Sequence, residues 1–460
     1  MLLVDGRTGG YSMTYQDGVR TNSPEPRAAV FETTRSCNLR CSHCFNPLKE
    51  PREGELATEQ AIEVLRGVAG FGCRKVSFTG GEPLVRPDWL VLVREASGLG
   101  LRVGLMTNGT LFTKREAAAA RAAGLNSLGF SVDGVGEVHD RARGTVGTFE
   151  LVKRAMGAAR AESLRFGAVT QINRANVDDL ERIRDFLVEE GASIWRVQLG
   201  QPMGRRGERS GKALGSRDLG AIAERMEPLC RDGNIKVSVG HSLAFALSAD
   251  SIEVENRHGG PRRGCPAGRS LVSILSNGDV VGCPAIAAIF PSGIAVVGNV
   301  KHRSLAEIWD DCDGFAMYSE AWRAFLDGSC RSCGSRAECD GGCPGSWVKV
   351  GDGYENSQCA LRSIRTPSIS SGLGGRLRVA TAFAVNCAVF MSLASCSPAQ
   401  VTTCAVDSDS DMDTDTDTDT DTDTDTDMDA GPDSGTEMDA SPDSGADTDA
   451  GPDAGLDAGK

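Results

Sequence analysis

Three cysteines fall within the short stretch Cys37-Asn-Leu-Arg-Cys41-Ser-His-Cys44, and no fourth follows nearby. Thiolate sites for zinc or for an iron–sulfur cluster ordinarily close with four protein ligands. The loop therefore offers either three ligands of a zinc site or a four-iron cluster with one iron left open. Downstream, Thr79-Gly80-Gly81-Glu82-Pro83 supplies glycines that let the backbone approach a ligand closely. An amino acid bound there would donate its amino N–H to the glycine carbonyls while that nitrogen and its carboxylate chelate the open iron. Glu82 also reads more plainly, as a cap at a strand-to-helix turn. A second set lies far along the chain: Cys265, Cys283, Cys330-x2-Cys333-x5-Cys339-x3-Cys343 and Cys359. Repeated Cys-x2-Cys spacing also suits a zinc ribbon. No side chain in the sequence identifies itself as a general acid or base.

The elements that must hold these residues show a steady rhythm. Residues 1–27 form a turn-rich lead-in. Strands are expected over 28–33, 75–79, 101–107, 127–131, 165–171 and 194–199, separated by amphipathic helices over 58–69, 88–97, 114–123, 148–161 and 177–190. Such alternation implies an α/β fold built from βαβ units, here a partial (β/α)6 TIM-like barrel over residues 28–205, with ligand sites at the C-terminal ends of its strands. The Cys37–Cys44 loop directly follows the first strand, on that functional rim. From 206 to 261 the rhythm fails, and a helix over 217–230 is expected to bridge to a second region. That region, 262–365, is rich in Gly and Cys and poor in long apolar runs, so metal cross-links are expected to stabilise it.

Charge and cysteine usage narrow the classes. The net charge of −14 over 460 residues is unevenly distributed. Residues 405–460 hold 19 Asp, one Glu and one Lys, a net −19, which leaves about +5 for the rest. No basic stripe with interleaved aromatics is present, so nucleic acid is not an expected partner. The 16 cysteines follow an N-terminus, Met1-Leu-Leu-Val-Asp-Gly-Arg, without the charged and apolar regions of a signal peptide. Clustered cysteines in such a chain point to metal rather than disulfides, with the catalytic part in the cytoplasm.

The Cys-x3-Cys-x2-Cys loop after strand one, with Gly-Gly-Glu-Pro after strand two, resembles the radical S-adenosylmethionine (SAM) superfamily. Thr107-Asn108-Gly109, Ser131-Val-Asp133-Gly134 and Gln171-Ile-Asn173-Arg-Ala-Asn176 at later strand ends extend the likeness. The resemblance implies a [4Fe-4S] cluster on Cys37, Cys41 and Cys44 whose open iron binds SAM. It implies cofactor contacts from Gly80, Gly81, Glu82, Ser131 and Asn173, with His43 where relatives set an aromatic ring against the adenine. Asn173, Asn176 and Asp133 read equally well as turn and cap residues. The chemistry implied is reductive cleavage of SAM to a 5′-deoxyadenosyl radical that takes hydrogen from the substrate.

The second cysteine set, with Asn277-Gly-Asp-Val-Val-Gly-Cys283-Pro and Asp340-Gly-Gly-Cys343, resembles the SPASM extension, which carries one or two auxiliary [4Fe-4S] clusters. That likeness assigns Cys265, Cys283 and Cys343 to a first cluster and Cys330, Cys333, Cys339 and Cys359 to a second. The first then lacks a fourth cysteine, for which Cys312 is one candidate. Cys73, Cys230 and Cys387 fall outside every register and read as ordinary buried thiols. Relatives that mature sulfatases carry Asp directly after the cysteine matching Cys283, whereas here Pro284 stands there, as in maturases of peptides and peptide-derived cofactors. The expectation is an oxidoreductase acting on a ribosomal peptide or protein, with a reducing electron donor as partner. Since 27 leading residues leave no room for a peptide-recognition domain, either a separate recognition protein would present the peptide or the substrate is small. Sulfatase-type side-chain oxidation is the enzymatic rival.

A non-catalytic iron–sulfur lipoprotein of the envelope is the other rival, and it rests on the C-terminus. Residues 376–396 pair a basic flank with an apolar run too short and broken for a bilayer span, and Leu393-Ala-Ser-Cys396 resembles a lipoprotein box. Membrane association of this segment, or export of the C-terminal tail, is the corresponding expectation. The Asp-Thr repeats of 405–460 carry too little apolar surface to fold and are expected to be disordered.

Overall fold

Along the central strands Val76, Phe78, Val103, Leu105, Leu128 and Phe130 are buried, while Ser77, Thr79, Met106, Gly129 and Ser131 between them are half-buried. A strand that buries every second residue completely presents one face to packed helices and the other to a more open space. In the computed structural model this face-sorting runs through β3 (Ala28–Thr34), β4 (Lys75–Gly80), β5 (Arg102–Thr107), β6 (Ser127–Ser131), β7 (Phe166–Ile172), β8 (Ile194–Leu199) and β9 (Lys236–Val239), all parallel to their neighbours. The structure describes residues 2–4, 11–13, 26–46, 50–201, 213–240, 243–244, 246–247, 265–288, 295–311, 315, 326–334, 339, 341–350, 353–359 and 362. All of these lie within one compact unit, residues 1–371. A separate antiparallel pair, β1 (Leu2–Val4) and β2 (Tyr11–Met13), precedes the main sheet.

Helices α1 (Thr58–Gly70), α2 (Trp89–Gly98), α3 (Lys114–Ala122), α4 (Glu137–Arg143), α5 (Thr148–Ala161) and α6 (Leu180–Glu189) alternate with the strands. Their apolar stripes explain the packing: α1 buries Ala61, Val64, Leu65 and Val68, spaced to fall on one helical face. The core is one cluster of buried side chains drawn from the sheet and these helices, with Phe31 and Phe78 edge to face at 6.1 Å across the β3–β4 pair. This is the partial-barrel α/β architecture expected from the sequence, and each expected strand is present.

Two regions extend the sheet further than the sequence rhythm indicates. After α7 (Leu219–Arg231), β9 joins β8 in parallel, so the stretch read as a bridge continues the βα alternation. Four residues, Lys-Val-Ser-Val, are too few to display a period. On the opposite edge, β10 (Leu271–Ile274) pairs in parallel with β3 and continues antiparallel into β11 (Asp279–Val281) and β12 (Val296–Asn299). The full order is β12-β11-β10-β3-β4-β5-β6-β7-β8-β9, a ten-stranded sheet. The Cys-rich region was expected to bury little. Instead Val272, Ile274, Val280, Val281, Ile308 and Trp309 are buried, because these short elements add to an existing sheet rather than build a core of their own. Two short helices, α8 (Pro284–Ala287) and α9 (Leu305–Asp310), and a final hairpin of β13 (Trp347–Val350) and β14 (Gly353–Asn356) complete the described chain. Cys312, Cys387, the segment 376–396 and the acidic tail lie outside the described residues. Among the described residues no helix is long and apolar enough to cross a membrane.

Candidate functional site

The Cys37–Cys44 loop leaves the C-terminal end of β3 and is pinned from two sides. From β4, Gly81 N–H donates to Thr34 O at 2.9 Å and Glu82 N–H to Ser36 O at 2.8 Å. A Cβ on Gly80 would stand 2.1 Å from Thr34 O, and one on Gly81 2.2 Å from Ser36 O. The glycines are thus required for the loop backbone itself to pass. From α4, Ala142 O accepts from Ser42 N–H at 3.0 Å, and the left-handed Gly144 lies against Arg40 O. The three thiols are close enough to interact: burial first, then Glu82, Cys41 and Cys44, push the Cys37 thiol up to about 11.

Behind the loop lies a buried charge cluster. The Asp133 carboxylate is 2.7 Å from the Arg143 guanidinium and 3.1 Å from His43 Nε2, and all three side chains are nine-tenths buried or more. Burial alone would raise the Asp133 carboxyl, but Arg143 and then His43 reverse this and hold it below the ordinary carboxylate range. Arg143 also points Nη1 at Cys41 Sγ, 3.8 Å away. The His43 ring is thus turned to Asp133, with Nε2 against the carboxylate. Arg143 is a site residue that sequence reasoning missed, its only signal being an Arg at the end of a short helix before a capping Gly.

The cofactor ledge runs along the neighbouring strand ends. Glu82 is fully buried, and its oxygens accept from Thr107 Oγ1 at 2.8 Å, Asn108 N–H at 2.7 Å and Leu84 N–H at 3.2 Å. It ties β4 to β5 and caps the following turn, so its carboxylate is committed within the protein. Burial raises it to about 7 against these hydrogen bonds. Asn173 is likewise committed to its turn: Oδ1 accepts from Ala175 N–H at 2.9 Å and Nδ2 donates to Gln171 O at 3.3 Å. Asn176 bridges Asp133 O and Gln171 O, both at 3.0 Å. Ser131 and Gln171 end β6 and β7 half-buried, and Gln171 Oε1 is buried without a hydrogen-bond partner. Side-chain polarity remains on the open face at Ser131 and Gln171 rather than at Asn173.

The later cysteines gather into two groups. Burial first, then Cys265, raises the Cys283 thiol to about 11, and Cys265 and Cys283 both add to the burial that raises Cys343. Cys265 is exposed, yet burial is also the first cause of its raised thiol, as for a residue on the wall of a hollow. Arg196, the outward residue between buried Trp195 and Val197 on β8, acts on that thiol, so this group borders the open face of the sheet. Cys330, Cys333, Cys339 and Cys359 line one cavity of about 570 Å³. Burial first, then Cys359, pushes the Cys339 thiol up to about 12. Cys73 is a buried thiol donating to Pro26 O at 3.3 Å, and Cys230 is half-buried on α7.

These donor sets fit iron–sulfur clusters. Among the described residues no three His, Cys, Asp or Glu side chains converge as a mononuclear metal would require. A cluster's thiolates each bind their own iron, so their sulfurs need not meet on one point. Thiols held up by burial stay protonated until a metal displaces the proton.

Comparison with known proteins agrees with this geometry. Residues 31–187 match the model of the radical SAM superfamily, and residues 265–334 match that of an iron–sulfur cluster-binding domain. The chain carries a radical SAM domain. More particularly, it carries the SPASM extension, so its cofactors are a [4Fe-4S] cluster with SAM and auxiliary iron–sulfur clusters. The AdoMet-dependent heme synthase of Oleidesulfovibrio alaskensis is 29% identical over 345 residues, which are 72% of this chain and 84% of that relative. The pre-heme d1 synthase of Dinoroseobacter shibae is 26% identical over 343 residues, 70% of this chain and 82% of that one. Among solved structures, Streptococcus suis SuiB bound to precursor peptide SuiA superposes with a TM-score of 0.58 at 20% identity, covering 73% of this chain and 75% of that one. At that identity the likeness is one of fold.

Proposed function

We propose that the protein is a radical SAM oxidoreductase that abstracts hydrogen from a carboxylate-bearing substrate lying on the open face of the sheet. The proposed cluster ligands are Cys37, Cys41 and Cys44 for the SAM site, Cys265, Cys283 and Cys343 for the first auxiliary site, and Cys330, Cys333, Cys339 and Cys359 for the second. When bound, a reduced cluster supplies the electron that cleaves SAM. The chain's own contribution is to fix the loop through Gly80, Gly81 and Asp133, and to cover one face of the sheet with helices so that only the other is open. The observation that carries the reading is Arg196, an exposed cation on that open face whose charge acts on the Cys265 thiol.

A cation there suits a carboxylate side chain. The sequence relatives are named for making heme and pre-heme d1, which favours a tetrapyrrole over other carboxylates. A ribosomal peptide is the second reading, favoured by Pro284 after Cys283, where sulfatase-maturing relatives carry Asp. A reducing electron donor is required in either case, and a peptide would come with a separate recognition protein.

The test is anaerobic turnover of the reconstituted protein with SAM and dithionite. Release of 5′-deoxyadenosine is expected, and Cys41→Ala should abolish it. Deuterium moving into 5′-deoxyadenosine from a labelled iron–porphyrin propionate, and not from labelled peptide, identifies the substrate class. Transfer from peptide alone selects the second reading, and absence of nucleoside release removes both.

A further inference from the structure

Arg143 is 7% exposed, so its charge is held almost wholly away from water. A buried guanidinium needs a partner, and Asp133 Oδ2 provides one at 2.7 Å. The arrangement goes further than a closed pair. Asp133 shares the same oxygen with His43 Nε2 at 3.1 Å, while Oδ1 accepts from Gln171 N–H at 2.8 Å. The guanidinium in turn directs its other amine to Cys41 Sγ at 3.8 Å. Its position is rigid: Ala142 O binds Ser42 N–H at 3.0 Å, and Gly144, at φ 72°, has no room for a Cβ beside Arg40 O, 2.8 Å away. The end of α4 is thereby locked to the cysteine loop, with one fixed cation on the thiol side and one fixed anion behind it.

A cluster bound by thiolates becomes more negative by one charge when it is reduced. In a low-dielectric surrounding, a nearby cation stabilises the reduced form and a nearby anion opposes it. Hydrogen bonds to the sulfurs and local net charge are the means by which proteins set cluster potentials. We propose that the Arg143–Asp133 pair sets the reduction potential of the cluster on Cys37, Cys41 and Cys44, with Arg143 raising it and Asp133 limiting the rise. Both act as positioning residues that make no contact with the substrate.

The proposal rests on the cluster reading of this loop. Its test is therefore a potential, measured on the reconstituted full-length protein after iron has been counted. The SAM-site signal is recognised in electron paramagnetic resonance as the one that changes on adding SAM and is lost in Cys41→Ala. Arg143→Gln should lower the reduced-to-oxidised ratio at fixed poise about tenfold, equal to about 59 mV for a one-electron couple. Arg143→Lys, which keeps the charge, should stay within about twofold of the parent by the same electrostatic argument. Asp133→Asn should shift the potential in the opposite direction to Arg143→Gln. An unchanged potential in Arg143→Gln, or shifts of the same sign in Arg143→Gln and Asp133→Asn, overturns the proposal. Should Arg143→Gln fail to take up iron, a rise in Asp133→Asn supports it and an unchanged or lowered potential overturns it. A parent protein that binds no iron removes the cluster reading itself, which distinguishes the two failures.

Discussion

The two cysteine regions use the same ligand and solve its placement differently. The N-terminal loop is short, hangs from a central strand and is gripped by Gly81, Glu82, Ala142 and a buried Arg143–Asp133 pair. The later thiols come from positions 265 to 359 and are drawn together by tight local turns, such as Gly342 N–H to Cys339 O at 2.8 Å and Ser346 N–H to Cys343 O at 2.9 Å. Their own secondary structure is short: strands β10 to β12, helices of four and six residues, and a hairpin of two four-residue strands. Where a site is shaped by packed strands, the fold holds the metal. Where it is shaped by turns, metal-binding energy becomes folding energy. The C-terminal region is nonetheless not a free-standing metal module: β10 pairs with β3, and Trp309 packs 6.3 Å from Phe71 beyond α1 and 4.7 Å from Phe315.

The largest expected effect tests how tightly the first region is fitted. In Gly81→Ala the new Cβ would meet Ser36 O at 2.2 Å and Arg35 O at 2.4 Å, so backbone rather than side chain must move. The SAM-site cluster signal and 5′-deoxyadenosine release should fall below detection while auxiliary iron is retained. Nucleoside release at the parent rate would show that the loop is not held by this contact. A smaller effect tests the anchor of the second region. Trp309→Ala should cost roughly 3–5 kcal/mol by loss of a fully buried ring, read as a lower denaturant midpoint. Hydrogen exchange should localise the loss to residues 265–359 and leave β4 to β7 protected. Uniform loss of protection would mean that the two regions unfold as one unit.

The sequence made the barrel legible because its strands and helices carry full periods, as in Thr58–Gly70 and Phe166–Ile172. It made the thiols legible because cysteine spacing is a local pattern. The grip on the first loop was less legible, since Arg143 follows Cys41 by 102 residues and no spacing rule links them. Glu82 was recognisable as important, but its hydrogen bonds from Thr107 and Asn108 exist only once the strand ends are side by side, whereas the bond from Ala175 to Asn173 is local and matches the turn role the sequence also allowed. Strand β9 was hidden by brevity, and β10 by its pairing with a strand more than 200 residues earlier.

The smallest predicted effect is a pH dependence confined to the first region. His139 on α4 is fully buried beside Phe149, and its Nδ1 accepts from Asp133 N–H at 3.2 Å, which requires the neutral ring. Burial first, then the Arg143 charge, lowers it from 6.5 to about 3. Below pH 6.5 the unfolded chain therefore binds a proton that the folded chain refuses. The stability His139 contributes is complete above 6.5 and is lost as the pH falls toward 3. From pH 6.5 to 5 that loss is about 2 kcal/mol, at roughly 1.4 kcal/mol per unit. His139→Gln retains an acceptor for Asp133 N–H but cannot titrate, so its denaturant midpoint should fall less over this range than the parent's. Because His139 packs behind the Cys37–Cys44 loop, acid should also expose the amides of α4 before those of β13 and β14. Equal slopes in parent and variant, or earlier exposure of the hairpin, would place the acid-sensitive element in the C-terminal region and reverse the contrast between the two sites.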